Sequence, residues 1–546
     1  MRFLLFSICF LLIIPVAKGQ AGSSTEEQKH LVYFTDKAQS PYSINSPEQY
    51  LSPKALARRS RQHIPVTPRD FPVNPAYVAD LKKTGVTLLY TSRWFNAAVV
   101  QCSTEKLAEL QTLPFVRSSR SLNRLANPAG KSGTLSIDSM TLASTYVEAK
   151  LYGSAFHQAN MLGVPALHDE GFRGEGMAIA VFDAGFPGVN SVSAFAHLFQ
   201  NGQVKATFDF VKKSPQVYAN NAHGTAVLST MAAYEPGLMI GTAYKADYLL
   251  FGTEDAATEH NIEEVNWLLA AEYADSAGAD IINSSLGYTA FDPPSTSYTY
   301  PDLNGNTTIV TRAADYAAAT GMLVVVSAGN EGNKPWRYIS APADADSVLT
   351  VGAVDSLANH ASFSSYGPTA DKRVKPDVVA MGQQVYVVSS SGRLSRSSGT
   401  SFSGPIMAGM VACLWQANAD LTNMQLLERV RQLGSHAANP NFTIGYGVPS
   451  YARNVTSIPK HFQDGITITN PMTDRELVIT MGESWQKESA VAHVYDTTGK
   501  LLLKQGLPAH QKTHTLSLKP GRLKRGVYLC QISSDSQNVT LRFIKL

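Results

Sequence analysis

The sequence predicts an α/β protein: a parallel sheet with helices on both faces, preceded by a small α/β unit and followed by a β-sandwich. Three observations predict it. Between about residues 150 and 455, strands that are apolar at every position alternate with helical patterns, as strands buried on both faces must. Residues 24–122 mix shorter strands with capped helices, and roughly the last 80 residues show short alternating strands joined by hairpin turns. Composition agrees, since 44% apolar and 16% charged residues in a chain of 546 supply a sizeable core and exclude a largely disordered protein. At roughly 150 residues per domain, that length fits three to four units. The formal net charge is +3, from 46 basic and 43 acidic residues, so no nucleic-acid partner is expected. Four cysteines exclude a disulfide-stapled scaffold.

Met1 to Gln20 reads as a secretory signal, assigned to residues 1–19. Arg2 precedes the apolar run Phe3 to Val16, and Ala17-Lys18-Gly19 offers small residues for cleavage. The run is short for a membrane span, and no longer one follows. Its removal takes Cys9 away and leaves Cys102, Cys413 and Cys530, read as small buried hydrophobes. In the N-terminal unit, Leu31 to Phe34, Val86 to Tyr90 and Ala97 to Cys102 read as strands. Ser52 to Gln62, Pro75 to Lys83 and Thr104 to Leu113 read as helices, with Pro75 at a helix start. The run Arg58-Arg59-Ser60-Arg61 is expected on an exposed helix face rather than at a processing site. Residues 123–141 are rich in Gly, Ser, Asn and Pro, a linker composition open to proteolysis, and 123–151 are taken as linker and maturation region.

The central unit, 152–455, carries the buried strands Met177 to Phe182, Tyr248 to Phe251, Asp280 to Asn283 and Met322 to Val326. Helical patterns at Ile262 to Ser276 and Ile309 to Thr320 lie between them. In such sheets, functional residues stand just beyond the carboxyl ends of strands. Beyond 463, Ala492 to Tyr495, Lys500 to Leu503, Gly526 to Ile532 and Val539 to Leu546 read as strands of a sandwich. The sequence has no repeat of 20 to 50 residues.

Three segments then need a joint explanation. Asp183 ends a buried strand, His223 opens a small-residue helical run, and Ser401 stands in Ser398-Gly399-Thr400-Ser401 ahead of an apolar helix. A serine hydroxyl is a weak nucleophile until an imidazole takes its proton, and the imidazole needs a carboxylate to fix its tautomer. Ser401 at a helix start would aim its own N–H at a developing oxyanion, and Asn330, after the strand Val324 to Val326, would supply a second donor. Each motif alone is weak; together, in this order and at strand ends, they reinforce one another.

At this point the chain resembles the subtilisin-like serine proteases over about 300 residues, from Tyr152 to Asn454. The resemblance implies a subtilisin-like fold, a triad of Asp183, His223 and Ser401, and Asn330 in the oxyanion hole. It also implies that Ser285, Leu286 and Gly287, in Ile282 to Gly287, pair with substrate backbone and wall the P1 pocket. Asp183-Ala184-Gly185 departs from the usual Asp-Ser-Gly or Asp-Thr-Gly, and Leu228 and Ser229 stand where small residues are common. Neither departure removes a reacting atom. Residues 24–122 resemble the inhibitory prodomain of such proteases. Residues 463–546 resemble the type A sorting domain of Bacteroidetes type IX secretion, on Val494 to Lys500, Gly526-Val527-Tyr528 and Leu541 to Leu546.

The reading is therefore a secreted serine endopeptidase made as a preproprotein, working through an acyl-enzyme on protein or peptide substrates. Its partners would be its own prodomain and the type IX machinery. It would cross to the periplasm and then the outer membrane, and a monomer is expected. The alternative is an inactive surface adhesin of the same fold, and the intact four-residue constellation speaks against it. The α/β-hydrolase order and G-x-S-x-G are missing, and no H-E-x-x-H occurs. No cofactor is required for the chemistry. A structural calcium ion has no specific motif behind it, because Asp344 and Asp346 lack the spacing of a calcium loop and read as a turn.

Overall fold

The computed structural model describes residues 27–122, 147–293, 295–451, 466–468, 476–482, 485–496, 500–517 and 526–545. The signal segment and the 123–141 linker fall outside them. No helix among the described residues is long and apolar enough to cross a membrane.

The N-terminal unit runs β1 (Gln28–Phe34), α1 (Pro53–Arg61), α2 (Pro75–Lys83), β2 (Thr87–Ser92), β3 (Ala97–Cys102), α3 (Thr104–Gln111) and β4 (Val116–Ser121). Its antiparallel sheet has the order β2-β3-β1-β4. The helices start where capping chemistry places them: Ser52 accepts from the Ala55 N–H and Ser103 from the Lys106 N–H. Alternation along β1 sends Val32 and Phe34 into the unit's own core, beneath α2 and α3. Leu31 and Tyr33 face the other way, into a core shared with the central unit.

The central unit opens with α4 (Val147–Tyr152), α5 (Phe156–Asn160) and α6 (Val164–Asp169), then β5 (Ala178–Asp183), α7 (Ala196–Gln200), β6 (Val204–Asp209) and α8 (His223–Ala232). A small hairpin, β7 (Tyr234–Glu235) and β8 (Met239–Ile240), leads to β9 (Asp247–Gly252), α9 (Ile262–Ala277), β10 (Ile281–Ser284), α10 (Ile309–Ala319) and β11 (Leu323–Ser327). There follow β12 (Val348–Val354), β13 (Val378–Met381), the ribbon β14 (Val385–Val388) and β15 (Leu394–Ser397), α11 (Thr400–Ala417) and α12 (Asn423–Gln432). Seven strands form one parallel sheet in the order β13-β12-β11-β10-β5-β9-β6. Alternation on β5 shows both faces buried: Ile179 and Val181 point to the side of α8 and α11, Ala180 and Phe182 to the side of α9 and α10.

The N-terminal unit packs on the α9 and α10 face, and there one expectation fails. Arg58 and Arg59 are 1% and 3% exposed, not on an open helix face. Both donate to Asp275 of α9, which is fully buried and also takes Arg93 at 2.5 Å. Arg58 caps the carbonyls of Ala279 and Thr320 as well. Nearby, Glu272 of α9 accepts from Ser92 Oγ, the Arg93 N–H and the Trp94 N–H at 2.6–3.1 Å. The run is basic because its acidic partner lies more than 200 residues away.

The C-terminal unit contains β16 (Ile466–Ile468), β17 (Glu476–Met481), β18 (Ala490–Asp496), β19 (Leu501–Leu507), β20 (Thr513–Ser517), β21 (Gly526–Ser533) and β22 (Asn538–Lys545). Two antiparallel sheets, β16-β17-β20 and β19-β18-β21-β22, enclose Ile479, Trp485, Val494 and Ile532, as the alternating pattern predicts. Cys102, Cys413 and Cys530 are free and buried.

Candidate active site

Asp183 is the last residue of β5, beside Gly252 of β9, and its carbonyl takes the Thr253 N–H at 2.9 Å. Its buried carboxylate accepts the Ala184 N–H at 2.8 Å and His223 Nδ1–H at 2.9 and 3.0 Å. The next residue of α8, Gly224, permits that approach: a Cβ there would stand 2.4 Å from the Gly185 carbonyl oxygen and 2.9 Å from Asp183 Cβ. Because Nδ1–H donates its hydrogen bond to the carboxylate, Nε2 carries the lone pair, on a ring 35% exposed. Burial works to lower the His223 pKa, but the charge and hydrogen bond of Asp183, with a further contribution from Glu254, raise it above the ordinary 6.5.

Ser401 is the second residue of α11 and 9% exposed. Its N–H belongs to the first turn, where no intrahelical acceptor exists. Its carbonyl would normally bond the N–H four residues on, but that residue is Pro405, which has none. Ser285 Oγ, after β10, donates to the carbonyl instead at 3.0 Å. The Ser401 hydroxyl is turned to the Ser285 carbonyl at 3.3 Å and makes no hydrogen bond to His223, whose ring lies 6.0 Å from that of Phe402. Serine–histidine bonds of this kind are commonly long or poorly aligned without substrate and tighten only once substrate fills the cleft.

Asn330 follows β11. Its Oδ1 accepts the Thr400 N–H at 2.8 Å and the Thr400 hydroxyl at 3.0 Å. A backbone donor fixes which end of the amide is oxygen, so Nδ2 is the end left for another acceptor. Ser285 is buried, Leu286 half-buried and Gly287 exposed, and the Ser285 and Leu286 carbonyls accept from the Ser401 and Ser327 hydroxyls. A Cβ on Gly287 would meet Ser340 Oγ at 2.2 Å, and Tyr288 exchanges both backbone hydrogen bonds with Ala341. The structure thus gathers Asp183 with His223, and Ser285 and Asn330 with the start of α11.

Residues the motifs did not single out complete the surroundings. Thr400 orients Asn330, and Glu254 accepts from Tyr288 and Thr253 at 2.6 and 2.7 Å. Proline four residues past Ser401 was the one sequence signal that an outside donor must serve its carbonyl. Among the described residues, the carboxylate oxygens of Glu254, Glu259 and Glu263 lie within 4.8 Å of one another. Those of Glu263 receive the Asp255 and His260 N–H groups, and no metal is assigned to the group. Asp344 takes Thr311 and Gly305, and Asp346 pairs with Arg373.

Comparison with known proteins agrees with this arrangement. The Subtilase family matches residues 174–447, half of the chain. The peptidase S8 propeptide domain of Bacteroidota matches 29–134, and a secretion system C-terminal sorting domain matches 470–546. Subtilisin NAT of Bacillus subtilis subsp. natto is 28% identical over 311 residues, 56% of this chain and 71% of its own. M-protease of Shouchella clausii is 28% identical over 313 residues, 56% and 73%. Thermostable alkaline protease of Halalkalibacterium halodurans is 29% identical over 275 residues, 50% and 66%. The chain belongs to the subtilase family, as a serine endopeptidase with a propeptide before it and a sorting domain behind it that directs type IX secretion to the cell surface or beyond.

Proposed function

We propose that the protease cleaves internal peptide bonds through an acyl-enzyme formed on Ser401, with His223 and Asp183 completing the triad. The observation that carries this reading is the bond from His223 Nδ1 to Asp183, which leaves Nε2 basic beside the start of the helix bearing Ser401. Ser401 Oγ attacks the scissile carbonyl carbon while its proton passes to Nε2. The oxyanion so formed accepts from the Ser401 N–H and Asn330 Nδ2. Collapse breaks the C–N bond, and the imidazolium returns the proton to the leaving amine. Water, deprotonated by the same Nε2, then hydrolyses the ester. The backbone of Ser285, Leu286 and Gly287 lines up the substrate chain. None of these steps calls on a cofactor.

In this reading the chain works as a monomer on protein substrates, and maturation cuts between about Arg117 and Leu162. Activity falls as pH drops through the His223 pKa, because the protonated ring cannot accept the serine proton. Asp183 carries that value above 6.5, so the loss begins at a higher pH than an unpaired histidine would set. The test is casein digestion by wild type and Ser401→Ala, with and without a serine-directed inhibitor. Loss of activity in the variant and in the inhibited wild type is expected; equal digestion by both proteins ends the triad assignment.

A further inference from the structure

Glu254 is a carboxylate that the mechanism above does not use. It stands two residues past β9, the strand registered against the one ending in Asp183, and Thr253 between them bonds the Asp183 carbonyl. One of its oxygens, Oε1, is held by Thr253 Oγ1 at 2.7 Å and by the Tyr288 hydroxyl at 2.6 Å. Tyr288 is fully packed and follows Gly287 directly, so the carboxylate ties the strand end of the triad to the end of the segment lining the cleft. Among the described residues Oε2 takes no hydrogen-bond donor, and the residue is half-buried. Glu254 is therefore fixed in place, and among the described residues no lysine or arginine forms an ion pair with it.

The ionisable groups facing it come from four elements. They are Asp183 of β5, His223 of α8, Tyr288 after β10, and Glu259 with Glu263 around the start of α9. Burial and the Glu254 charge push Tyr288 well above its ordinary value, so it stays a neutral donor. Burial and the neighbouring glutamates push Glu263 up to about 10, so it keeps its proton near neutrality. Burial raises Glu254 itself only to about 7, held down by Tyr288 and Thr253. Of Glu254 and Glu263, it is Glu254 whose charge appears as the solution passes neutrality.

We propose that Glu254 is a positioning residue for the proteolytic reaction: its negative charge, anchored between the Asp183 strand end and Tyr288, sustains the His223 imidazolium formed in the transition state. This rests on the assignment of His223 as the base. Asp183 orients the ring by direct contact; Glu254 acts through space and leaves the tautomer alone. The two titrations are coupled, so the acid limb of the activity profile belongs to the pair.

The test is Glu254→Gln, which preserves an acceptor for Tyr288 and Thr253 and removes the charge. The mature enzyme is assayed for kcat and KM on one peptide substrate from pH 5 to 10, together with the rate of inactivation by a sulfonyl fluoride. The acid limb of both should move down by about half a pH unit, and kcat at pH 8 should fall about threefold at unchanged KM. Glu254→Asp should restore most of the shift. If the glutamine variant matures poorly, the His223 ring is followed by NMR in Ser401→Ala precursors without and with Glu254→Gln, and should titrate about half a pH unit lower in the latter. Profiles that superimpose on wild type overturn the proposal, as does a raised KM with unchanged kcat, which would make Glu254 a substrate contact. An active Ser401→Ala would instead bring down the triad reading itself.

Discussion

Asp275→Asn should loosen the prodomain from the protease by more than any exposed ion pair would. Introduced into a Ser401→Ala precursor, which in the proposed mechanism is unable to cut itself, the change leaves three guanidinium groups sharing a neutral amide in a site without solvent. Breaking one partner out of a buried ion pair typically costs about 3–5 kcal/mol. The structure points to the lower end of that range. Arg58 keeps the Ala279 and Thr320 carbonyls, Arg59 keeps Asp70 at 2.9 Å, and Arg93 keeps the Glu272 carbonyl and Ser276 Oγ. A loss of about 3 kcal/mol is therefore expected, read by urea unfolding of the two precursors followed by tryptophan fluorescence. Because none of the four side chains is more than 8% exposed, added salt should change the difference little. A loss under about 1 kcal/mol, the range of exposed pairs, would refute the claim that this cluster locks the two units together.

Asn330→Asp keeps an oxygen for the Thr400 N–H but replaces the Nδ2 donor with an acceptor; kcat should fall by about 10²–10³ with KM little changed, and steady-state kinetics at pH 8 decide it. Ser285→Ala takes away the donor that serves the Ser401 carbonyl in place of Pro405, and the unfolding free energy of the Ser401→Ala precursor should drop by about 1–3 kcal/mol. His30 of β1 is 3% exposed with neither ring nitrogen bonded among the described residues, and burial lowers its pKa below 6.5. A depressed histidine favours folding only while neutral. Prodomain stability should thus be lost as pH falls below about 6.5, by up to about 1.4 kcal/mol per unit until the folded pKa is passed. Differential unfolding at pH 7.5 and 5.5 should show the loss in the Ser401→Ala precursor and a smaller one once His30→Leu is added.

How much of this was readable beforehand depends on the range of the interaction. The sheet was legible because strands such as Ala178–Asp183 and Leu323–Ser327 are buried on both faces, and that burial is written into every position. The helices α1, α2 and α3 were legible because Ser52, Pro75 and Ser103 announce their starts locally. Asp183, His223, Asn330 and Ser401 stood out because their neighbours are constrained too, as the crowding at Gly224 shows. Arg58 and Arg59 read as solvated from the sequence because nothing within the helix reveals a carboxylate on α9. Glu254 carries no sequence signal for a related reason: its meaning comes from Tyr288 and from the parallel register that sets Thr253 against Asp183, neither visible from its own flanks. The direction of the Ser401 hydroxyl is a rotamer choice, which no sequence pattern encodes.

One helix joins these features. α9 is 16 residues long, about 24 Å, and its two ends meet different parts of the molecule. Near its start Glu263 braces the loop that follows Glu254 through the Asp255 and His260 N–H groups, and Trp267 donates to Ser284 at the end of β10. Near its finish Glu272 and Asp275 hold the prodomain. When the prodomain leaves, the second end loses three arginines and is hydrated, while the hydrogen bonds of Glu263 and Trp267 at the first end all lie within the protease. The separation has a consequence for maturation. The clamp can be strong enough to guide assembly of α9 and α10 onto the sheet, yet its removal disturbs no hydrogen bond that positions Asp183, His223 or Ser285. A buried salt-bridge cluster costs little to abandon when water replaces the lost partner, which is why ionic groups suit an interface meant to be dismantled better than a permanent core.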